Sequence, residues 1–152
     1  YKFTALLSGP EPQRSILESK IVNLFRQLPS ECAIIQGKPL SKNHKEHNID
    51  FFAHLNTDKF LDTINNSEII LCRSGYSNVM DFSALGKKVI FIPTPGQTEQ
   101  EYLANYHSEV SKVKSIRQSE ISLEKINSNT GTVIQPMCDE GLMNLAFEKA
   151  ML

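Results

Sequence analysis

The chain has 152 residues, with 16 basic and 17 acidic side chains and a formal net charge of −1. That length suits one domain with a core of its own, and the balanced charge, with no lysine or arginine run, lacks the electrostatic footprint of a nucleic-acid binder. The longest apolar runs, such as Val89 to Ile92, fall far short of the roughly 20 residues a membrane helix needs, and no signal-peptide pattern opens the chain, so a soluble protein is expected.

Short runs rich in β-branched and aromatic residues alternate with segments of helical period, the pattern of βαβ units and a parallel sheet covered by helices on both faces. Residues 3–7 (FTALL) predict a first strand, with Ser8-Gly9-Pro10 as its turn. A helix follows over 14–28, with Ile16, Leu17, Ile21, Leu24, Phe25 and Leu28 at three-and-four spacing, and Pro29 ends it. Residues 32–36 predict a second strand, 37–48 a polar loop, 49–55 a third strand, and 57–65 a helix with Phe60, Leu61 and Ile64 inward. A fourth strand over 68–72 leads to a helix over 76–85, closed by Gly86 in a left-handed cap position. A fifth strand over 88–92, a helix over 98–107, a weak strand over 110–116, a short helix over 119–126 and a terminal helix over 143–151 complete the pattern. Cys32, Cys72 and Cys138 fit no C-x-x-C or zinc spacing, which predicts free thiols and a cytoplasmic setting. The chain opens at Tyr1 without an initiator Met, and the expectation is a piece of a longer polypeptide.

Two places stand out because an apolar run stops abruptly there. The fourth strand ends at Cys72 and is followed by Arg73-Ser74-Gly75, which places free N–H groups and the positive end of a helix dipole at one spot, suited to an anion. Ser74, Ser77, Asn78 and Asp81 share one helix face and form a polar stripe leading away from it, matching a diphosphate followed by sugar hydroxyls; a plain N-cap and solvated face would give the same spacing. The fifth strand ends at Pro93, followed by turn residues 94–97; Thr98 with Glu101 fits a capping box. Gln97, Glu99 and Gln100 gather at this second stop, where amides and carboxylates suit sugar hydroxyls. The first loop, with Gly9 and Arg14, is a further phosphate candidate.

Over residues 72–93, CRSGYSNVMDFSALGKKVIFIP, the chain resembles the C-terminal, nucleotide-sugar-binding half of GT-B glycosyltransferases, glycosyltransferase family 28 in particular, and the likeness extends from about residue 3 to 106. The resemblance implies a Rossmann-like parallel sheet with helices on both faces. It places the donor diphosphate at Ser74, Gly75, Ser77 and Asn78 and the ribose at Asp81, where the family usually has glutamate. It implies main-chain reading of the base near His54 and Leu55. The donor sugar falls to the pair Glu99-Gln100 or Gln100-Glu101. The implied reaction is transfer of a hexosyl group from a UDP-sugar to an acceptor hydroxyl with no cofactor and no protein-bound metal. The general base and acceptor contacts would lie on an N-terminal domain outside this chain, so the domain alone is expected to bind donor without turnover. In the full-length protein a peripheral membrane location is compatible with this reading.

Other signals carry less. His44, His47 and His54 lack a carboxylate at ligand spacing, His107 fits a dipole cap at a helix end, and Cys72 fits an inert core thiol. Arg73-Ser74-Gly75 lacks the leading glycine of a nucleophile elbow. Two alternatives remain: a non-catalytic nucleotide-sugar-binding module or subunit partnering a separate acceptor-binding chain, and a non-hydrolysing sugar-nucleotide epimerase, whose catalytic acids and histidine find no match here.

Overall fold

The computed structural model describes residues 1–128 and 131–134. Its strands are β1 (Phe3–Leu6), β2 (Cys32–Ile35), β3 (His44–Glu46), β4 (Ile49–Phe52), β5 (Ile69–Cys72), β6 (Lys88–Phe91), β7 (Lys114–Ser115) and β8 (Thr132–Val133). The helices are α1 (Gln13–Phe25), α2 (Thr57–Asn65), α3 (Tyr76–Ala84), α4 (Thr98–Val110) and α5 (Leu123–Asn127). The sheet runs β3-β4-β2-β1-β5-β6-β7, with β8 paired to β6. All pairings are parallel except β3 with β4 and β8 with β6.

Alternation along the strands divides the core into two layers. Phe3, Ala5, Ile34, Ile69, Leu71 and Ile90 pack with Leu17, Ile21 and Phe25 of α1 and Ile126 of α5. Ile35, Ile70, Cys72, Val89 and Phe91 pack on the opposite face with Ile64 of α2, Val79 and Phe82 of α3, and Leu103 of α4. A sheet covered on both faces explains why its central strands read as unbroken apolar runs.

Connectivity locates the site. From β1 the chain winds outward through β2 to β4 and β3, then α2 carries it back to β5 on the other side of β1. The order therefore reverses between β1 and β5, and in open α/β sheets ligands bind outside the carboxyl ends of the strands at such a reversal.

Several boundaries depart from expectation. The polar loop over 37–48 contains β3, an edge strand held antiparallel on β4, whose residues His-Lys-Glu carry no apolar alternation. The third predicted strand stops at Phe52, so His54 and Leu55 lie beyond it. Helix α1 ends at Phe25 rather than 28, because the Asn48 side chain donates to the carbonyls of Phe25, Leu28 and Ser30 and fixes the turn. Leu61 of α2 is exposed and Thr63 is buried in its place, its hydroxyl satisfied by Lys59 O at 2.8 Å. The predicted strand over 110–116 shrinks to β7 because α4 continues to Val110, and the helix over 119–126 divides into a 3-10 turn, Gln118–Glu120, and α5. Cys138 and the terminal helix over 143–151 lie outside the described residues. Cys32 and Cys72 are free and buried, and burial pushes both thiols up, Cys32 to about 11, which leaves them inert at neutral pH.

His107 does not serve as a charged cap. It is 1% exposed, its ring lies beside Phe91 and Tyr106 at centroid distances of 6.2 and 5.1 Å, and neither ring nitrogen has a hydrogen-bond partner among the described residues. Burial lowers its pKa below the ordinary 6.5, so the unfolded chain takes up the proton first. Its contribution is complete above about pH 6.5 and is lost as pH falls from there through the lower folded pKa. His107→Leu, which removes the unpaired nitrogens at similar volume, is predicted to flatten the acid dependence below pH 6.5. It is also predicted to raise stability by about 1 kcal/mol, measured by urea unfolding between about pH 5 and 7.5.

Candidate functional site

At the carboxyl end of β5 the chain passes through Arg73, Ser74 and Gly75 into α3. Gly75, not Ser74, is the N-cap, and no side chain caps the helix. The leading N–H groups of α3 therefore have no intrahelical acceptor and carry the positive end of the helix dipole. Gly75 has φ −71°, which any residue adopts, and a Cβ there would meet nothing within 4 Å. Neither backbone conformation nor packing requires glycine at this position. The glycine leaves the backbone at the start of α3 open to close approach.

Around this opening, side chains named from the sequence divide into those facing solvent and those used to build the frame. Ser77 and Asp81 of α3 are exposed, and Asp81 lies about 9 Å from Gly75 along the helix axis at 1.5 Å per residue. Ser74 is fully buried and donates to Gln100 O at 2.6 Å. Asn78 is half-buried and donates through Nδ2 to Arg73 O at 2.9 Å, closing the end of β5. The Ser74 bond joins the two strand stops into one unit.

The second stop is an internally bonded loop. Gln100 accepts from Thr94 N at 2.8 Å and donates to Gln97 Oε1 at 2.6 Å, while Glu101 accepts from Gly96 N at 3.1 Å. The capping box expected from Thr98 and Glu101 does not form: Gln97 is the N-cap without a side-chain cap, and Glu101 reaches Gly96 instead. Glu99 is exposed on the first turn of α4. A cavity of about 350 Å³ opens between this loop and β7, lined among others by Pro93, Pro95, Glu101, Asn105, Arg117 and Gln118. Of the residues expected to read a sugar, Glu101 lines it and Gln100 does not. A cavity of about 550 Å³, lined by Lys2, Glu68, Lys87 and Lys88, lies at the amino ends of the strands. Binding loops in such sheets gather at the carboxyl ends, so the site belongs to the first group.

The first loop and the start of α1 carry bonds of the frame. Gly9 has φ +103°, a conformation that favours glycine, and its Cα faces the β6 loop, a Cβ there standing at contact distance, 3.4 Å, from Thr94 Oγ1. Arg14 is buried, pairs with Glu11 at 2.8 Å and Glu18 at 2.9 Å, and donates to Gln36 O at 3.2 Å. Its charge is answered within its own corner, away from any role as a free phosphate ligand. His54 is exposed and Leu55 half-buried between β4 and α2. His44 stacks on Phe51 at 4.4 Å, and among the described residues no three His, Cys, Asp or Glu side chains are grouped to hold a metal.

Arg73 is the residue that sequence reasoning missed. It is 1% exposed and lies at the centre of the frame. Its Nη1 donates to Ile92 O at 2.9 Å and Pro93 O at 3.2 Å, its Nη2 to Gln13 O at 3.2 Å, and its Nε to Ser8 O at 3.5 Å. It thereby holds together the carboxyl ends of β1, β5 and β6. An arginine directly after a buried strand was the available signal, but the usual expectation for arginine is exposure.

A family model, the glycosyltransferase family 28 C-terminal domain, matches residues 11–150. A relative from Pasteurella multocida (strain Pm70), UDP-N-acetylglucosamine--N-acetylmuramyl-(pentapeptide) pyrophosphoryl-undecaprenol N-acetylglucosamine transferase, is 27% identical over 137 residues, covering 84% of this chain and 38% of the relative. Among solved structures, Acinetobacter baumannii MurG matches with a TM-score of 0.60 at 17% identity, over 84% of this chain and 42% of that one. The glycotransferase of kitacinnamycin matches with a TM-score of 0.63 at 12% identity, over 86% and 34%. The chain thus spans well under half the length of the relatives it matches, and its fold is that of the C-terminal half of a GT-B enzyme. With switch point, strand-end loops and the near-complete match together, the chain belongs to the glycosyltransferase family 28 C-terminal domain family.

Proposed function

We propose that this chain binds the donor of a glycosyl transfer, a nucleoside diphosphate sugar with uridine as its nucleoside, and presents the sugar to an acceptor hydroxyl held by a second domain or chain. The observation that carries this reading is Gly75, a glycine that neither the fold nor its own backbone requires, at the uncapped start of a helix. The diphosphate lies against the leading N–H groups of α3, with Ser77 beside it. Asp81 accepts from the ribose hydroxyls, and the chain at His54 and Leu55 meets the base. Glu101, with Asn105 one turn further along α4 lining the same cavity, takes the sugar hydroxyls. Gln97, Gln100, Ser74 and Asn78 hold the loops that place these groups.

In the reaction the acceptor oxygen bonds to the anomeric carbon as the bond from that carbon to the diphosphate oxygen breaks. The electron pair leaves with UDP, whose added negative charge the helix N–H groups stabilise. The acceptor proton passes to a general base, which the proposal places on the other domain. The 38% share of the Pasteurella relative supports that division. The reading assigns no protein-held metal or cofactor to the site, and the whole protein works at the cytoplasmic side, where UDP-sugars are the available donors.

Gly75→Ala is expected to leave the unfolding midpoint unchanged or slightly raised, because its φ suits alanine, while weakening UDP binding at least about tenfold by calorimetry. Asp81→Ala is expected to weaken UDP and uridine by the same factor, since both carry the ribose. UDP affinity untouched by both substitutions would contradict the site.

A further inference from the structure

Two arginines are buried at this end of the sheet, and they are treated differently. Arg14 has two carboxylates as partners. Arg73, the largest fully buried side chain, has only the main-chain oxygens of Ser8, Gln13, Ile92 and Pro93, and no carboxylate pairs with it among the described residues. Burial lowers its pKa to about 10, which still leaves the guanidinium charged at neutral pH. Carbonyl dipoles satisfy its N–H groups but leave its net charge standing, and a buried charge without a counter-ion is costly. Arg73 stands two residues before Gly75, the uncapped start of α3, and its guanidinium reaches under the loops that follow β1 and β6. A buried charge without a counter-ion, on the segment that leads into an uncapped helix start, favours an anion at this end of the sheet, and the low-dielectric surroundings let the charge act across a longer gap than in water.

We infer that Arg73 is a positioning residue of the donor site: its buried charge is the fixed counter-charge to the donor's diphosphate, and its four hydrogen bonds set the spacing of the loops that receive it. This rests on the proposed donor reading. Arg73 need not touch the ligand, since its donors already face Ser8, Gln13, Ile92 and Pro93. A purely mechanical clamp would act on every ligand of the site alike, whereas a counter-charge distinguishes a diphosphate from a neutral nucleoside.

The test is calorimetric titration of the 152-residue chain and its Arg73→Met and Arg73→Lys variants with UDP and with uridine, alongside circular dichroism. Arg73→Met is expected to weaken UDP about tenfold and uridine less than about twofold, while Arg73→Lys keeps the UDP-to-uridine ratio within about threefold of the unsubstituted chain. Equal losses for UDP and uridine in Arg73→Met would reduce Arg73 to a clamp and overturn the inference while leaving the donor site standing. Should Arg73→Met fail to fold, the lysine variant decides: a retained ratio supports the counter-charge and a collapsed ratio overturns it. An unsubstituted chain that binds neither ligand would overturn the donor reading itself, and this inference with it.

Discussion

A guanidinium that is 1% exposed sits where three parallel strands end, and the carbonyls of Ser8, Gln13, Ile92 and Pro93 are its partners. Ser8 and Gln13 bracket the loop between β1 and α1, and Ile92 and Pro93 follow β6, so Arg73 ties the segments on either side of β5 to its end. Around it the frame is continuous: Asn78 caps Arg73 O, Ser74 bonds Gln100 O, Gln100 fixes Thr94, and Gly9 seats the first loop on Thr94. Removing one buried partner from such a network leaves others unsatisfied, which costs more than any single bond contributes.

That frame separates two kinds of polar residue that look alike in a sequence. Ser74 and Ser77 are three apart on one stripe, yet Ser74 is sealed inside and Ser77 faces solvent. Gln100 and Glu101 are adjacent, yet the amide braces the loop while the carboxylate lines the cavity. Spacing along a helix assigns a face but not a depth, because depth depends on which neighbouring loop crosses over it.

Much of the fold was legible because its signals are local. The central strands read as unbroken apolar runs since both faces are buried, and Gly86, at φ +59°, marked the end of α3. What was hidden depended on distant partners. β3 is a strand only because β4 supplies its hydrogen bonds, and β8 pairs with β6 over two residues. Thr63 is buried and Leu61 exposed on α2, an assignment that apolar periodicity alone does not make. The burial of Arg73 follows from three loops converging from three parts of the chain, which no short window contains.

At the carboxyl ends of the strands the fold leaves the start of α3 at Gly75 uncapped, Ser77 and Asp81 exposed on α3, and Glu101 lining the cavity beside β7. The most direct measurement of that account is a map of backbone amide shifts on titration with UDP. The account predicts saturable shifts centred on Gly75, Tyr76 and Ser77, with residues at the amino ends of the strands, such as Lys2, Glu68 and Lys88, unmoved. Shifts confined to that opposite end, or none at millimolar UDP, would contradict it.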